Sequence, residues 1–345
     1  MSMSSMKNAP ALPSEVILSV IECLIPSSPP VVFAPSHPVT RTLVNLTLVS
    51  RLTSRTAKRL LLKHCMYINA EERLTKLIAL RQQSSTDLTA ASPQGLFLAP
   101  FPAEDLDHLS IAKNVNLLLS DIGGKLTSLI INMPLRYLRP EEDLNHVRPV
   151  LREAFSSLEA LEEFCSMQDE LYLDIPGQQP QVWLAWPRLQ RLALYNPCLD
   201  FPGFVADIKR CSNLTHLVFS RADSLFYDVP EDSAGFGGLR LLKRVIIVNT
   251  ERGFLQNMRF HQEERDSKGT FLRRLRSAWF GNHAGQVRAE EMAEFDYFCV
   301  AVTVPIPPHL VDDDQIDIQL CQEWVGTHAM DGTLWDMPGT PFLVP

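Results

Sequence analysis

No Cys-x-x-Cys pair occurs among the seven cysteines of this 345-residue chain, and they form no even framework. That excludes a disulfide scaffold and a zinc finger, and it points to a reducing compartment. No window of about 18 uncharged apolar residues exists, so no membrane span is expected. The opening MSMSSMKNAPALPSE has no apolar core, and Glu15 interrupts the first hydrophobic stretch, so no secretory leader is expected. Positive charge is scarce: 32 Lys and Arg stand against 40 Asp and Glu, for a net charge of −8. An acidic chain is a poor general partner for nucleic acid. These absences leave a cytoplasmic or nuclear protein as the expectation. Without a strong basic cluster, the sequence does not choose between the two.

Catalytic signatures are also absent. No H-E-x-x-H, G-x-S-x-G or metal-spaced Cys/His set occurs. Asp312-Asp313-Asp314 with Asp317 resembles the start of a calcium loop. The sixth position, where glycine is needed, is Asp317, although Glu323 stands at the twelfth. These acids read as a solvated helix start. Gly235-Phe236-Gly237-Gly238 precedes a predicted strand instead of following one, so it fails as a phosphate loop. His261 with Glu263 and Glu264 lacks a second histidine. The expectation is a protein that is not an enzyme and holds no cofactor or metal.

What is present divides in two. Apolar residues make up 46% of the chain, enough for a sizeable core. Its length suits two domains. Residues 1–70 hold seven basic residues (Lys7, Arg41, Arg51, Arg55, Lys58, Arg59, Lys63) against Glu15 and Glu22. A head of charge +5 therefore sits on a body of −13. In the head, Ser14 can cap a helix carrying Val16, Ile17, Val20, Ile21 and Leu24, which Pro26 ends. Five prolines between 26 and 38 make a loop. A second helix reads from about Thr40 through Leu52, a third from about Ser54 through Leu62, and a fourth carries Leu74, Leu77 and Ile78.

The order Leu12-Pro13-Ser14-Glu15-Val16, Ile17, Ile21, Leu24, then Leu46-Thr47-Leu48-Val49-Ser50-Arg51, Ala57 and Leu60-Leu61 resembles an F-box, of the fungal type in its long proline loop. The resemblance covers residues 11–65. It implies docking on the Skp-type adaptor of a cullin–RING ubiquitin ligase, and through it on a cullin. Leu12, Pro13, Val16, Ile17, Leu43, Leu46 and Leu48 are the expected contacts. A unit this small cannot cover all of them itself, and exposed apolar surface marks a partner site. The positive head suits an acidic adaptor.

The body carries a repeat, L-x-x-L-x-L. It reads Leu126–Leu129–Ile131, Leu161–Phe164–Ser166, Leu189–Leu192–Leu194, Leu214–Leu217–Phe219 and Leu242–Val245–Ile247, at spacings of 25 to 35 residues. Leu106–Leu109–Ile111 and Leu272–Leu275 read as degenerate outer units. Helices are expected over 145–156 and 202–211. The family's asparagine slot holds Pro134, Pro197 and Thr250, with Asn196 and Asn249 one short, so the repeats are irregular. The expected fold is therefore α/β: an N-terminal helical F-box followed by an irregular leucine-rich-repeat-like α/β solenoid. The divisions are a disordered 1–10, the F-box at 11–65, a linker helix and loop at 66–104, the repeat domain with its cap at 105–337, and an irregular tail at 338–345.

Strand side chains alternate. If the leucines point inward, Ser128, Ile130, Asn132, Ala193, Val218, Ser220, Ile246 and Val248 face the open concave side. Arg191, Tyr195, His216 and Arg244 lie among them as the expected contacts for an unknown target protein, acidic or phosphorylated. After residue 252 the repeat fades. Arg252 to Lys268 reads as an exposed helix or loop, Phe271 to Phe280 as an apolar stretch, 286–294 as a helix and Phe295 to Val304 as a strand. Ile316, Leu320, Cys321 and Trp324 read as a final helix shielding the open end. The expected function is a substrate-recognition subunit of a ubiquitin ligase; the alternative is an interaction scaffold with a non-functional F-box.

Overall fold

The computed structural model describes residues 12–28, 30–83, 92–102, 105–174, 179–199, 201–227, 239, 241–260, 269–275, 298–310 and 316–342. Residues 1–10, Gly235–Gly238, His261–Glu264, Trp279–Phe280, the helix expected over 286–294 and Asp312–Asp314 lie outside them.

The head is three helices, α1 (Ser14–Glu22), α2 (Pro38–Leu46) and α3 (Arg51–His64). Pro13, not Ser14, is the N-cap of α1: its fixed backbone presents a carbonyl to the amides of Val16 and Ile17. Ser50 starts α3 with a capping box, exchanging hydrogen bonds with Thr53. That box ends the second apolar run early, so Leu48 and Val49 fall in a turn beyond α2. Ile21, Leu43, Ala57 and Leu60 form the head's own core.

Among the described residues, the body is one open sheet of nine strands whose spatial order is the sequence order. The strands are β1 (Tyr67–Ile68), β2 (Gly95–Leu98), β3 (Ser128–Ile131), β4 (Glu163–Ser166), β5 (Arg191–Tyr195), β6 (His216–Ser220), β7 (Arg244–Thr250), β8 (Cys299–Val304) and β9 (Thr340–Pro341). All neighbours are parallel except β8 and β9. Between them run α4 (Glu71–Gln83), α5 (Leu109–Ile122), α6 (Val147–Ser156), α7 (Pro202–Arg210), α8 (Glu251–Phe260) and α9 (Ile316–Asp331). One hydrogen-bonding device recurs at the strand starts. A single carbonyl accepts two successive amides from the next strand, at Gln94, Thr127, Glu162, Gln190 and Thr215 in turn.

Register sorts the side chains into two continuous rungs. Leu96, Leu129, Phe164, Leu192, Leu217, Val245 and Cys299 are in line across seven strands and belong to the larger core, with α5, α6 and α7. The next residue on each strand gives Phe97, Ile130, Cys165, Ala193, Val218, Ile246 and Val300, which form a second core on the opposite face. Cys321, Val325 and Ala329 of α9, with Leu334, Trp335 and Val32, cover that second rung. Gly326 lets α9 come close: a Cβ there would stand 2.4 Å from the Met167 side chain. The last helix therefore lies across the sheet face and does not shield an end.

Three other expectations change. Leu109 and Ile111 are in α5, and 271–275 is helical, so neither is an outer repeat strand. The sheet begins with β1 and β2 inside the segment read as a linker, where runs of two and four residues carry no leucine spacing. Part of the tail pairs as β9 instead of being irregular. Elsewhere β3 to β7 fall on the five repeats, and α6 and α7 near their expected bounds.

If α9 and the following turn complete the core, Trp335→Ala will cost about 3–5 kcal/mol of stability. The urea midpoint measures this. A loss below about 1 kcal/mol would mean that this layer adds little to the core.

Candidate interaction surfaces

The head carries the first surface. Leu12, Val16 and Leu48 are 65%, 43% and 84% exposed, and Pro13 is exposed beside them. Ile17 and Leu46 are half-buried. Leu43 is fully buried in the head's core, so it cannot be a contact as the sequence suggested; it holds α2 against α1 and α3. Val20, Val44, Val49 and Leu52 are exposed too. The sequence reading missed these as surface because their helical spacing also fits a core stripe. Arg41, Arg51, Arg55 and Lys58 stand exposed on the same helices. An apolar area with cationic neighbours fits an apolar partner of negative charge.

The proline-rich loop behind this surface is tied down. Val32 and Phe33 are buried. The Val32 amide donates to the Met330 carbonyl at the end of α9, and the Phe33 amide to the His64 carbonyl at the end of α3. The loop thus clamps the head to the second face of the sheet. A cleft of about 250 Å³, lined by Pro30, Val31, Lys63, His64, Gly95, Thr127 and Glu162 among others, remains at the junction.

The residues expected to receive a target are placed differently from the reading. Arg191, His216 and Arg244 do share one register row, with Glu163 next to Arg191 in it. The row does not lie open. Arg244 is buried and donates to the Met337 carbonyl. Arg191 is paired with Glu163 at 2.6 Å and lies 5.9 Å from the centre of the Trp335 ring. His216 is half-buried, with Nδ1 2.8 Å from Thr215 Oγ1. Tyr195 is four residues along β5, buried, with its hydroxyl pushed up to about 12 chiefly by burial. Arg244 and Tyr195 are interior and Arg191 and His216 only half-buried, because the leucine-free face is as apolar as the leucine face and α9 and Trp335 lie over it.

The carboxyl ends of the strands carry a polar network in place of an asparagine ladder. Asp169, fully buried, accepts from the amides of Leu171 at 2.7 Å and Arg136 at 3.0 Å. The Arg136 guanidinium binds Glu170 and donates to the Asn196 carbonyl at 2.7 Å. The Asn196 side chain exchanges two 3.0 Å hydrogen bonds with Asp223. Ser224 Oγ links the Leu199 amide to the Pro197 carbonyl. Further along, Asp317 accepts from Thr250 at 2.9 Å and from Arg252 at 2.7 Å and 3.0 Å.

Electrostatics follow burial. Burial pushes the Glu170 carboxyl up to about 7 against the pull of Arg136, with Asp169 adding to the rise. Burial also acts upward on Asp317, but the hydrogen bonds from Arg252 and Thr250 overcome it and hold the carboxyl below its ordinary range. Among the described residues no cluster of three or more His, Cys, Asp and Glu side chains could hold a metal ion. Among them, too, no helix is long and apolar enough to cross a membrane.

His216 gives a pH test of the closed row. Burial and then Arg191 hold it down at about 4, with Arg244 and Lys243 adding and Asp336 opposing. The unfolded chain binds a proton at about pH 6.5, where the folded protein does not. This group's stabilising effect is therefore full above about pH 6.5 and is lost as pH falls toward 4. Urea midpoints between pH 7 and 5 will fall less for His216→Gln than for the unaltered protein; equal falls would show that His216 titrates as a free histidine does. No protein-family model, no curated protein and no solved structure matches the chain.

Proposed function

We propose that the protein is a substrate-recognition subunit of a cullin–RING ubiquitin ligase, docking a Skp-type adaptor through its F-box-like head. The observation that carries this reading is the head's division of its apolar residues. Ile21, Leu43, Ala57 and Leu60 satisfy the fold, while Leu12, Val16, Val44, Leu48 and Val49 are left at the surface. Apolar side chains in such number on so small a unit are costly to expose without a partner. The LPSEV and LTLVSR motifs supply most of that surface. The body then acts as the target-holding module. Its strands follow one another in sequence order, with the same hydrogen-bonding stagger at the starts of β3 to β7, which supports an irregular leucine-rich-repeat-like solenoid. Ubiquitin transfer belongs to other subunits; this chain raises the local concentration of the target.

The test is a pull-down of the purified protein with the adaptor, beside a variant carrying Leu12→Ala, Val16→Ala and Leu48→Ala. All three side chains are exposed, so the variant should keep its circular dichroism and urea midpoint within about 0.5 kcal/mol per site. One-to-one binding by the unaltered protein and a loss of about tenfold or more in the variant are expected. No binding by the unaltered protein would overturn the ligase reading and leave an interaction scaffold with a non-functional F-box.

A further inference from the structure

With the second sheet face closed, a target needs another surface, and the carboxyl edge of the strands offers one. Its polar network buries the carboxylates and turns the guanidiniums outward. The Glu170 side chain is 7% exposed against 40% for its partner Arg136. The Asp317 side chain is 3% exposed against 22% for Arg252. Asp169 is fully buried, and Asp223 is held by Asn196. Arg221 is half-buried, and its charge acts on Asp317, Tyr195 and Cys321. It follows β6 directly, beside Asn196, whose carbonyl binds Arg136. Among the described residues, the guanidiniums of Arg136 and Arg252 are therefore each more open to an approaching molecule than the carboxylate they hold.

The edge is also preorganised. Leu171, Asn196 and Arg221 adopt left-handed backbone conformations, with φ of 63°, 42° and 48°. Such conformations cost energy outside glycine and persist only where surrounding contacts impose them. Here the contacts are the bonds of Asp169, Arg136 and Asn196. Tyr137 and Phe201 stand exposed on turns that the same network fixes. Arginine and tyrosine in fixed positions are the commonest energetic anchors of protein interfaces. A guanidinium has five donors, and Arg136 spends one nitrogen on Glu170 and Asn196.

We propose that this edge, from Arg136 and Tyr137 through Arg221 to Arg252, docks an acidic segment of a target protein, with carboxylates on the outward guanidiniums. The inference rests on the target-receptor reading but does not need the adaptor, so it is tested without it. The probe is a labelled glutamate-rich peptide, with its all-glutamine counterpart as control, and the readout is fluorescence anisotropy with the full chain at low salt. The glutamate peptide should bind, the glutamine peptide should not, and added salt should weaken binding. Arg221→Ala should weaken it about tenfold or more, the effect of one charge-assisted contact. Tyr137→Ala, at a side chain 67% exposed, should also weaken it and covers the case in which Arg221→Ala fails to fold. Arg51→Ala in the basic head should change nothing. Absence of binding, binding indifferent to both Arg221 and Tyr137, or binding lost in Arg51→Ala would overturn the proposal. Peptide binding with a failed adaptor pull-down would remove the ligase reading and leave this one standing.

Discussion

A parallel sheet must be covered on both faces, and that requirement organises this protein. Strands joined in sequence order leave the pleat's two sets of side chains equally apolar when both are buried. Here Leu96, Leu129, Phe164, Leu192, Leu217 and Val245 fill one rung, and Phe97, Ile130, Cys165, Ala193, Val218 and Ile246 fill the next. The crossover helices α5, α6 and α7 cover the first. Nothing in the repeat covers the second, so the chain returns after β8 and lays α9, Leu334 and Trp335 across it. Gly326 on the helix lets α9 approach Met167 closely.

Closing both faces moves the available chemistry to the sheet's two edges. At the amino edge β3 to β7 are each set by one carbonyl taking two amides, and there Glu163 pairs with Arg191 while His216 meets Thr215. At the carboxyl edge the chain must turn back toward the helix layer within a few residues. Left-handed residues at Leu171, Asn196 and Arg221 make or follow those turns. Buried Asp169 gathers the amides that the turns leave unpaired; burial pushes its carboxyl up, and those hydrogen bonds and Arg136 act against the rise. Loops fixed in this way are where binding residues concentrate in sheets of parallel strands.

The sequence made the head's helices and the strands β3 to β7 legible, because leucines at fixed spacing record a buried face directly. It made β1 and β2 illegible: two and four residues are too few for any period to register. The larger miss was the second face. Ile130, Ala193, Val218, Ile246 and Val248 were assigned to an open concave side although every one is apolar. A run such as Arg244-Val245-Ile246-Ile247-Val248, apolar at odd and even positions alike, is the signature of a strand buried on both sides. Arg191, His216 and Arg244 sit at the first position of their strands, where the apolar rungs have not yet begun, which is why polar residues are tolerated there. The carboxyl-edge network had no signal beyond Asn196 and Asp169 near strand ends, since its geometry depends on turns between distant residues.

The placement of the head is the last consequence of the closed sheet. Four buried apolar side chains are a small core for a unit of about 55 residues, and such a unit is marginal alone. The proline-rich loop supplies what is missing by sending Val32 out of the head into contact with α9, while Phe33 is buried against the end of α3. Its prolines limit the unfolded chain's freedom, so ordering so long a loop costs less than its length suggests. A loop that in isolation looks like an insertion between two helices is therefore the joint of the molecule. On the proposed reading it has a mechanical role: a receptor that works by proximity gains most when its two docking surfaces are held at one separation. The Val32–Met330 hydrogen bond ties the adaptor-facing head to the same helix that closes the body.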